Sequence, residues 1–117
     1  MQSILKGDIL LVLAMKIGKS IMIGDDVEII LKDIKGNNVF LEIVLPASLN
    51  VCKNGNSNPV QKSEDGKVKV DLRMNQYINI TEDVKVSVQR STNNKVYLGF
   101  EAPRSLSILR SELYERD

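Results

Sequence analysis

Few residues in this chain could do chemistry, and the missing types are as informative as those present. The 117-residue sequence has no histidine and a single cysteine, Cys52. Without histidine the usual general base and the commonest metal ligand are gone. A lone cysteine makes neither an internal disulfide nor a metal cluster. Cys52 closes the apolar run Leu49-Asn50-Val51-Cys52 and reads as a small strand residue, not a nucleophile. Asp25 and Asp26 follow Gly24 with no further ligands beside them, so they read as a solvated turn. Asn79-Ile80-Thr81 fits a glycosylation-acceptor pattern, which reads as a coincidence and a turn. Nothing resembles a phosphate-cradling loop or a nucleophile with its base. The expectation is a protein that is not an enzyme and uses no cofactor and no metal. What remains are sixteen Lys and Arg side chains, a type suited to phosphate contact.

The elements that must position these cations are strands. Aromatic residues are 4% of the chain and tryptophan is absent, so the core must be aliphatic. Its Val and Ile content favours strands. Residues 9–16 form an apolar run, ended by Gly18. Ser20 to Ile23, Val27 to Asp33 and Val39 to Leu45 follow, separated by Gly24-Asp25-Asp26 and Lys35-Gly36-Asn37-Asn38, whose Gly and Asn suit tight turns. Pro46 ends the fourth strand and Leu49 to Cys52 makes a short fifth. Residues 54–66 are polar and rich in Asn, Ser and Gly, and read as a flexible linker. Fully extended, it could span roughly 40 Å. The same order of strands then recurs: Lys67 to Met74, Tyr77 to Ile80, Val84 to Val88, Val96 to Phe100 and Leu106 to Leu109. The tail from Arg110 to Asp117 could form a short helix, with Glu112, Glu115 and Asp117 on a solvated face. Phe40, Tyr77, Tyr97 and Phe100 fall in strands and are expected in the core, which leaves no aromatic platform for bases.

This recurrence is an internal repeat. Val27-Glu28-Ile29 lines up with Val84-Lys85-Val86 at an offset of 57 residues. At that offset Asn37 falls on Asn94, Val39 on Val96, Leu41 on Leu98, Pro46 on Pro103, Ser48 on Ser105 and Leu49 on Leu106. The chain therefore divides into an extension at 1–8, a first repeat at 9–53, the linker at 54–66 and a second repeat at 67–117.

The stretch Ile17-Gly18-Lys19-Ser20-Ile21-Met22-Ile23-Gly24-Asp25-Asp26-Val27 resembles the hairpin signature of the carbon storage regulator (CsrA/RsmE) family. So does the ending Ala102-Pro103, Leu106 to Arg110, then Glu112-Leu113-Tyr114. Members of that family are homodimers of five-stranded chains with interleaved strands. They bind GGA-containing single-stranded loops in messenger leaders. The resemblance implies an all-β fold with a short C-terminal helix, in which two five-stranded repeats interleave into one pseudo-dimeric β-sandwich or barrel. Each RNA site in the family joins the first strand of one copy to the last strand of the other.

By that resemblance, site one would combine Leu11, Val12, Leu13, Ala14, Met15 and Lys16 with Arg104, Leu106, Ser107, Ile108 and Arg110. Leu13 and Arg110 stand at the family's key leucine and arginine positions. Met15-Lys16 replaces its basic pair, with one cation missing. Site two would combine Val68, Val70, Asp71 and Arg73 with Leu49, Val51 and Lys53. There Lys53 replaces the arginine and lacks its planar donor fork. Asp71 adds a negative charge on the phosphate path. Asn75 and Thr81 replace the hairpin glycines Gly18 and Gly24. Site two is thus expected to be degenerate.

The formal net charge of +1 is no global attractor for nucleic acid, so binding must come from a local patch. The expected partner is single-stranded RNA with a GGA motif, bound by a monomeric pseudo-dimer. The competing reading is an RNA-binding-deficient interaction module that binds a protein antagonist such as a flagellar assembly factor. No apolar run approaches the roughly 18 residues that span a bilayer, so the expected location is cytoplasmic, with no membrane partner.

Overall fold

Alternation of apolar and polar residues builds several of the strands. In the computed structural model, which describes residues 8–113, β6 (Val68–Leu72) is the plainest case. Val68, Val70 and Leu72 are buried, while Lys69 and Asp71 between them are exposed. A period of two also runs through most of β3 (Val27–Lys35), while β1 (Asp8–Lys16) is an apolar run, β2 (Ser20–Ile23) buries three residues in succession, β4 (Asn38–Val44) buries Leu41 to Ile43, and β5 (Val51–Lys53) is short. The alternation recurs in β7 (Tyr77–Ile80) and in most of β8 (Val84–Ser91) and β9 (Lys95–Pro103), and β10 (Ile108–Arg110) is short. The expected C-terminal helix is a single 3-10 turn at Ser111–Leu113. The extension through residue 7 and the tail from Tyr114, with Glu115 and Asp117, lie outside the described residues.

The ten strands make two antiparallel five-stranded sheets, ordered β1-β9-β8-β7-β5 and β10-β2-β3-β4-β6. Three central strands of each sheet come from one repeat, and both edges come from the other. This is the interleaved pseudo-dimeric sandwich that the resemblance implies, made within one chain. The Cα radius of gyration, 13.4 Å, is that of one body of this length. Even the irregularities repeat. The register of β3 on β4 shifts between Leu31 and Asp33, and that of β8 on β9 between Val88 and Arg90. These bulges lie at the same position in each copy.

Two strand ends differ from the expectation in the same way. The last strands start at Val51 and Ile108, not at Leu49 and Leu106, and end at Lys53 and Arg110. A tight turn after each proline takes up the difference: Leu49 N–H donates to the Pro46 carbonyl at 3.0 Å, and Leu106 N–H to Pro103 at 2.9 Å. Both leucines pack against the core from these turns. The strand expected over Lys67 to Met74 is shorter, Val68–Leu72.

The core is aliphatic as composition requires, with Phe100 its one fully buried aromatic among the described residues. Phe40, Tyr77 and Tyr97 correct the expectation of four core aromatics. Each occupies an outward position of its strand and is only half-buried. Strand phase, set by neighbours such as Val96 and Leu98, outweighs the preference of an aromatic ring for the interior.

The connecting stretch 54–66 is tied to the body. Val60 N–H donates to Val51 O at 2.7 Å, and Lys62 Nζ to Ala47 O at 3.0 Å. Lys62 also bridges to Val68. The Ser63 hydroxyl and the Lys67 N–H donate to the Asp65 carboxylate, which holds its pKa below the ordinary value. The clasp is therefore in place above the usual carboxylate range and is lost as acid protonates Asp65.

The second repeat keeps the hairpin backbone without its glycines. Gly18 and Gly24 have φ of 90° and 61°, and their counterparts Asn75 and Thr81 have φ of 69° and 61°. Asn tolerates this left-handed region, but β-branched Thr does not. Thr81 is exposed, so replacement by glycine removes little packing. Thr81→Gly is expected to raise stability by about 0.5–1 kcal/mol, the relieved strain less the added chain entropy of glycine. Thermal denaturation of the two proteins checks this.

Candidate nucleic-acid interface

The two sheets leave two composite margins, one where β1 meets β10 and one where β6 meets β5. Along β1 the residues alternate. Leu11, Leu13 and Met15 turn inward against the core, whereas Val12, Ala14 and Lys16 turn outward. Arg110, at the end of β10, crosses to the other sheet. Its Nη2 donates to the Ala14 carbonyl at 3.3 Å, a bond between residues 96 apart. The first edge of repeat one and the last strand of repeat two therefore share one surface.

Around that bond lies an open cleft of about 300 Å³, lined by Ala14, Met15, Lys16, Lys19, Ser20, Lys95, Arg110 and Glu112. Four of these carry positive charge and one carries negative charge. No ion pair joins any of the four cations to a described residue. Lys16 and Lys95 are register partners across β1 and β9, a like-charged pair whose repulsion costs stability. The floor is held from below. The hydroxyls of Ser20 and Ser111 donate to Glu28 Oε2 at 2.7 and 3.2 Å, which fastens the 3-10 turn to β2 and β3.

The opposite margin has the same backbone and opposite chemistry. Counterparts at the offset of 57 are Asp71 for Ala14, Lys53 for Arg110, Arg73 for Lys16, Gln76 for Lys19 and Asn38 for Lys95. Lys53 Nζ lies 3.8 Å from the Asp71 carboxylate. Arg73 Nε donates to Asn38 Oδ1 at 3.1 Å, and the Arg73 N–H donates to Gln76 Oε1 at 2.9 Å. Here Lys53 and the Arg73 Nε are engaged within the protein, and a carboxylate stands where the first margin has the Ala14 methyl group.

Of the residues expected at site one, the cleft gathers Ala14, Met15, Lys16 and Arg110. Val12 is exposed on the same strand face. The side chains of Leu11, Leu13, Leu106 and Ile108 pack on the core. Ser107 gives its carbonyl to Gly24 N–H at 2.7 Å. Arg104 follows Pro103, which pairs with Asp8 at the far end of β1. That places it roughly 25 Å along the strand from Lys16. Of the residues expected at site two, Asp71, Arg73 and Lys53 reach the surface. Val68, Val70 and Val51 are buried, and Leu49 is half-buried.

The structure places a second cation beside Lys16 from another strand. Position 15 is 3% exposed, where a cation would be buried, and Lys95 from the neighbouring strand supplies the second charge beside Lys16. Lys95 was not among the expected site residues because it lies on β9, the neighbour of β1, and not on a first or last strand; Glu112 was expected only on a solvated face. The repeat offset carries the signal: Lys95 stands against Asn38, and Lys19 against Gln76.

The model of the global regulator protein family CsrA matches residues 10–55 and 65–117, most of the chain. The chain is 46% identical over 43 residues to the translational regulator CsrA of Thermotoga petrophila, covering 37% of this chain and 52% of that protein. It is 48% identical over 42 residues to the translational regulator CsrA of Leptospira biflexa, covering 36% and 53% respectively. The aligned region thus spans about half the length of these relatives. No solved structure is significantly similar to it. No helix among the described residues is long and apolar enough to cross a membrane.

The Lys53–Asp71 pair is half-exposed, with side-chain exposures of 31% and 53%. Exposed pairs contribute little to stability. Asp71→Ala should therefore change unfolding free energy by less than about 1 kcal/mol while freeing the Lys53 ammonium. Denaturant titration of the variant checks the first part.

Proposed function

Because this chain belongs to the CsrA family of global regulators, and because one of its two composite margins holds unpaired cations, we propose that it is a post-transcriptional regulator with one working RNA site. The ligand is a GGA-containing single-stranded loop in a messenger leader, and the outcome is altered translation or messenger stability. The observation that carries this reading is the Arg110–Ala14 bond, set among Lys16, Lys19 and Lys95. The guanidinium braces the β1 edge and keeps further N–H donors for phosphate or base edges. Single-stranded bases can be read at their edges by backbone groups of such a strand. The margin at Lys53 and Asp71 takes no part, because an incoming phosphate would have to displace a carboxylate. The two repeats complete each other's sheets, so the working unit is a monomer.

A second reading has one observation in its favour. Leu10 and Val12 on β1 are 57% and 49% exposed, and Leu113 after β10 is 60% exposed. An apolar rim of this kind also suits a protein antagonist.

A gel-shift titration with a GGA hairpin is expected to saturate at one RNA per chain. Arg110→Ala should weaken binding by about tenfold or more, as loss of a charge-assisted contact implies. Lys53→Ala should leave the affinity unchanged. With the cleft's four cations engaged, the slope of log K against log salt should be about −3. Two equivalent sites per chain would refute the single-site reading. Absence of binding to any GGA loop at low salt would refute RNA recognition and favour the antagonist. The monomeric reading predicts an unfolding midpoint independent of protein concentration.

A further inference from the structure

We propose that Tyr97 is a stacking platform for a base flanking the motif held in the Lys16–Arg110 cleft, an inference that rests on the RNA-binding reading above. Tyr97 stands outward on β9, and its register partners are Ala14 on β1 and Arg90 on β8. Ala14 is the residue whose carbonyl receives Arg110. The ring is therefore one strand from the centre of the cleft, on the same outer face, beside a methyl group too small to cover it.

Two cations attend the ring. The Arg90 guanidinium lies 5.6 Å and the Lys95 ammonium 5.8 Å from its centroid. Neither forms an ion pair with a described residue. A nucleotide leaving the cleft toward β9 would meet a π-face for its base and two charges for its phosphates. The guanidinium plane of Arg90 offers a second stacking surface at the same place.

The other half-exposed aromatics lack this setting. Phe40 is the counterpart of Tyr97, and its register partners are Asp71 and Asp33. Carboxylates thus stand where Tyr97 has a methyl and a guanidinium. The one cation over Phe40, Lys35 at 5.8 Å, is paired with Asp33 at 3.8 Å. Tyr77 has Lys85 at 4.4 Å, and Lys85 is paired with Glu101 at 3.7 Å. Among the described residues, only the ring beside the open cleft keeps cations free of acids. The platform and the phosphate-binding charges occur at the same margin and are both lost at the other.

The test measures dissociation constants of wild type, Tyr97→Phe, Tyr97→Ser and Arg110→Ala for a GGA hairpin with unpaired loop nucleotides on both sides of the motif. The same RNA with abasic sites at those flanking positions is measured in parallel. Tyr97→Ser should weaken binding to the intact RNA about tenfold, and Tyr97→Phe should stay within about twofold of wild type. On the abasic RNA, wild type and Tyr97→Ser should bind alike. Equal binding of Tyr97→Ser and wild type to the intact RNA overturns the proposal while leaving the RNA reading in place. So does a Tyr97→Ser defect that persists on abasic RNA, which would mark the ring as purely structural. If wild type binds neither RNA, the functional reading falls and the stacking proposal falls with it.

Discussion

Neither repeat owns a complete sheet, and the rest of the molecule follows from that constraint. Strands β2–β4 of the first repeat form a three-stranded core whose edges are β6 and β10 of the second. Strands β7–β9 of the second repeat are flanked in turn by β1 and β5 of the first. A central strand left without its edge would expose a row of unpaired backbone groups over an apolar face. The two halves must therefore fold as one unit. Each surface built on an edge is composite, with one strand from each repeat. The Arg110–Ala14 bond can exist only once both halves are in place.

Fusion changes what such a surface can become. In a symmetric homodimer a substitution appears at both sites at once, because the same patch is used twice. In one chain the two margins are encoded separately and can drift apart. The structure shows how far they have drifted at constant backbone geometry. Bulges, register and turn positions agree between repeats, while Ala14, Lys95 and Arg90 at one margin face Asp71, Asn38 and Asp33 at the other. The Lys53–Asp71 pair is too exposed to be explained as a stabilising device. Its main physical effect is to cancel the charge that a polyanion would seek.

Much of the fold was legible because the signal was local or repeated. The offset of 57 residues exposed the duplication, and apolar runs and period-two alternation of Val, Ile and Leu marked most strands and the core. Strand ends were less legible. Whether Leu49 and Leu106 continue a strand or sit in a turn depends on a backbone bond to Pro46 or Pro103, which composition does not reveal. The aromatics were expected in the core because they fall in strands, whereas strand phase decides which way each residue points, and only Phe100 points inward. The cleft was half legible. Lys16 and Arg110 came from a family resemblance, but Lys95 and Tyr97 arrive through the pairing of β1 with β9, a contact across most of the chain length. Comparing each residue with its counterpart in the other repeat would have marked Lys95, Arg90 and Lys19 as charge differences without any structure.

The hairpin turns separate two kinds of constraint that are usually seen together. Gly18 and Gly24 in the first repeat occupy left-handed backbone positions, and Asn75 and Thr81 occupy the same positions in the second. Backbone shape persists there after the residue best suited to it has gone, even where a β-branched side chain must bear strain. The turns at Gly24 and Thr81 close the hairpins β2–β3 and β7–β8, pairs of central strands, so a relaxed turn there would disturb the register of a whole sheet, and those at Gly18 and Asn75 carry the chain from one sheet to the other. The margins face no such demand. Asp71 in place of alanine, or Asp33 in place of arginine, leaves every ladder bond intact. Geometry is therefore shared between the repeats because the core needs it twice. Charge is not shared, and one margin keeps its cations unpaired against electrostatic cost.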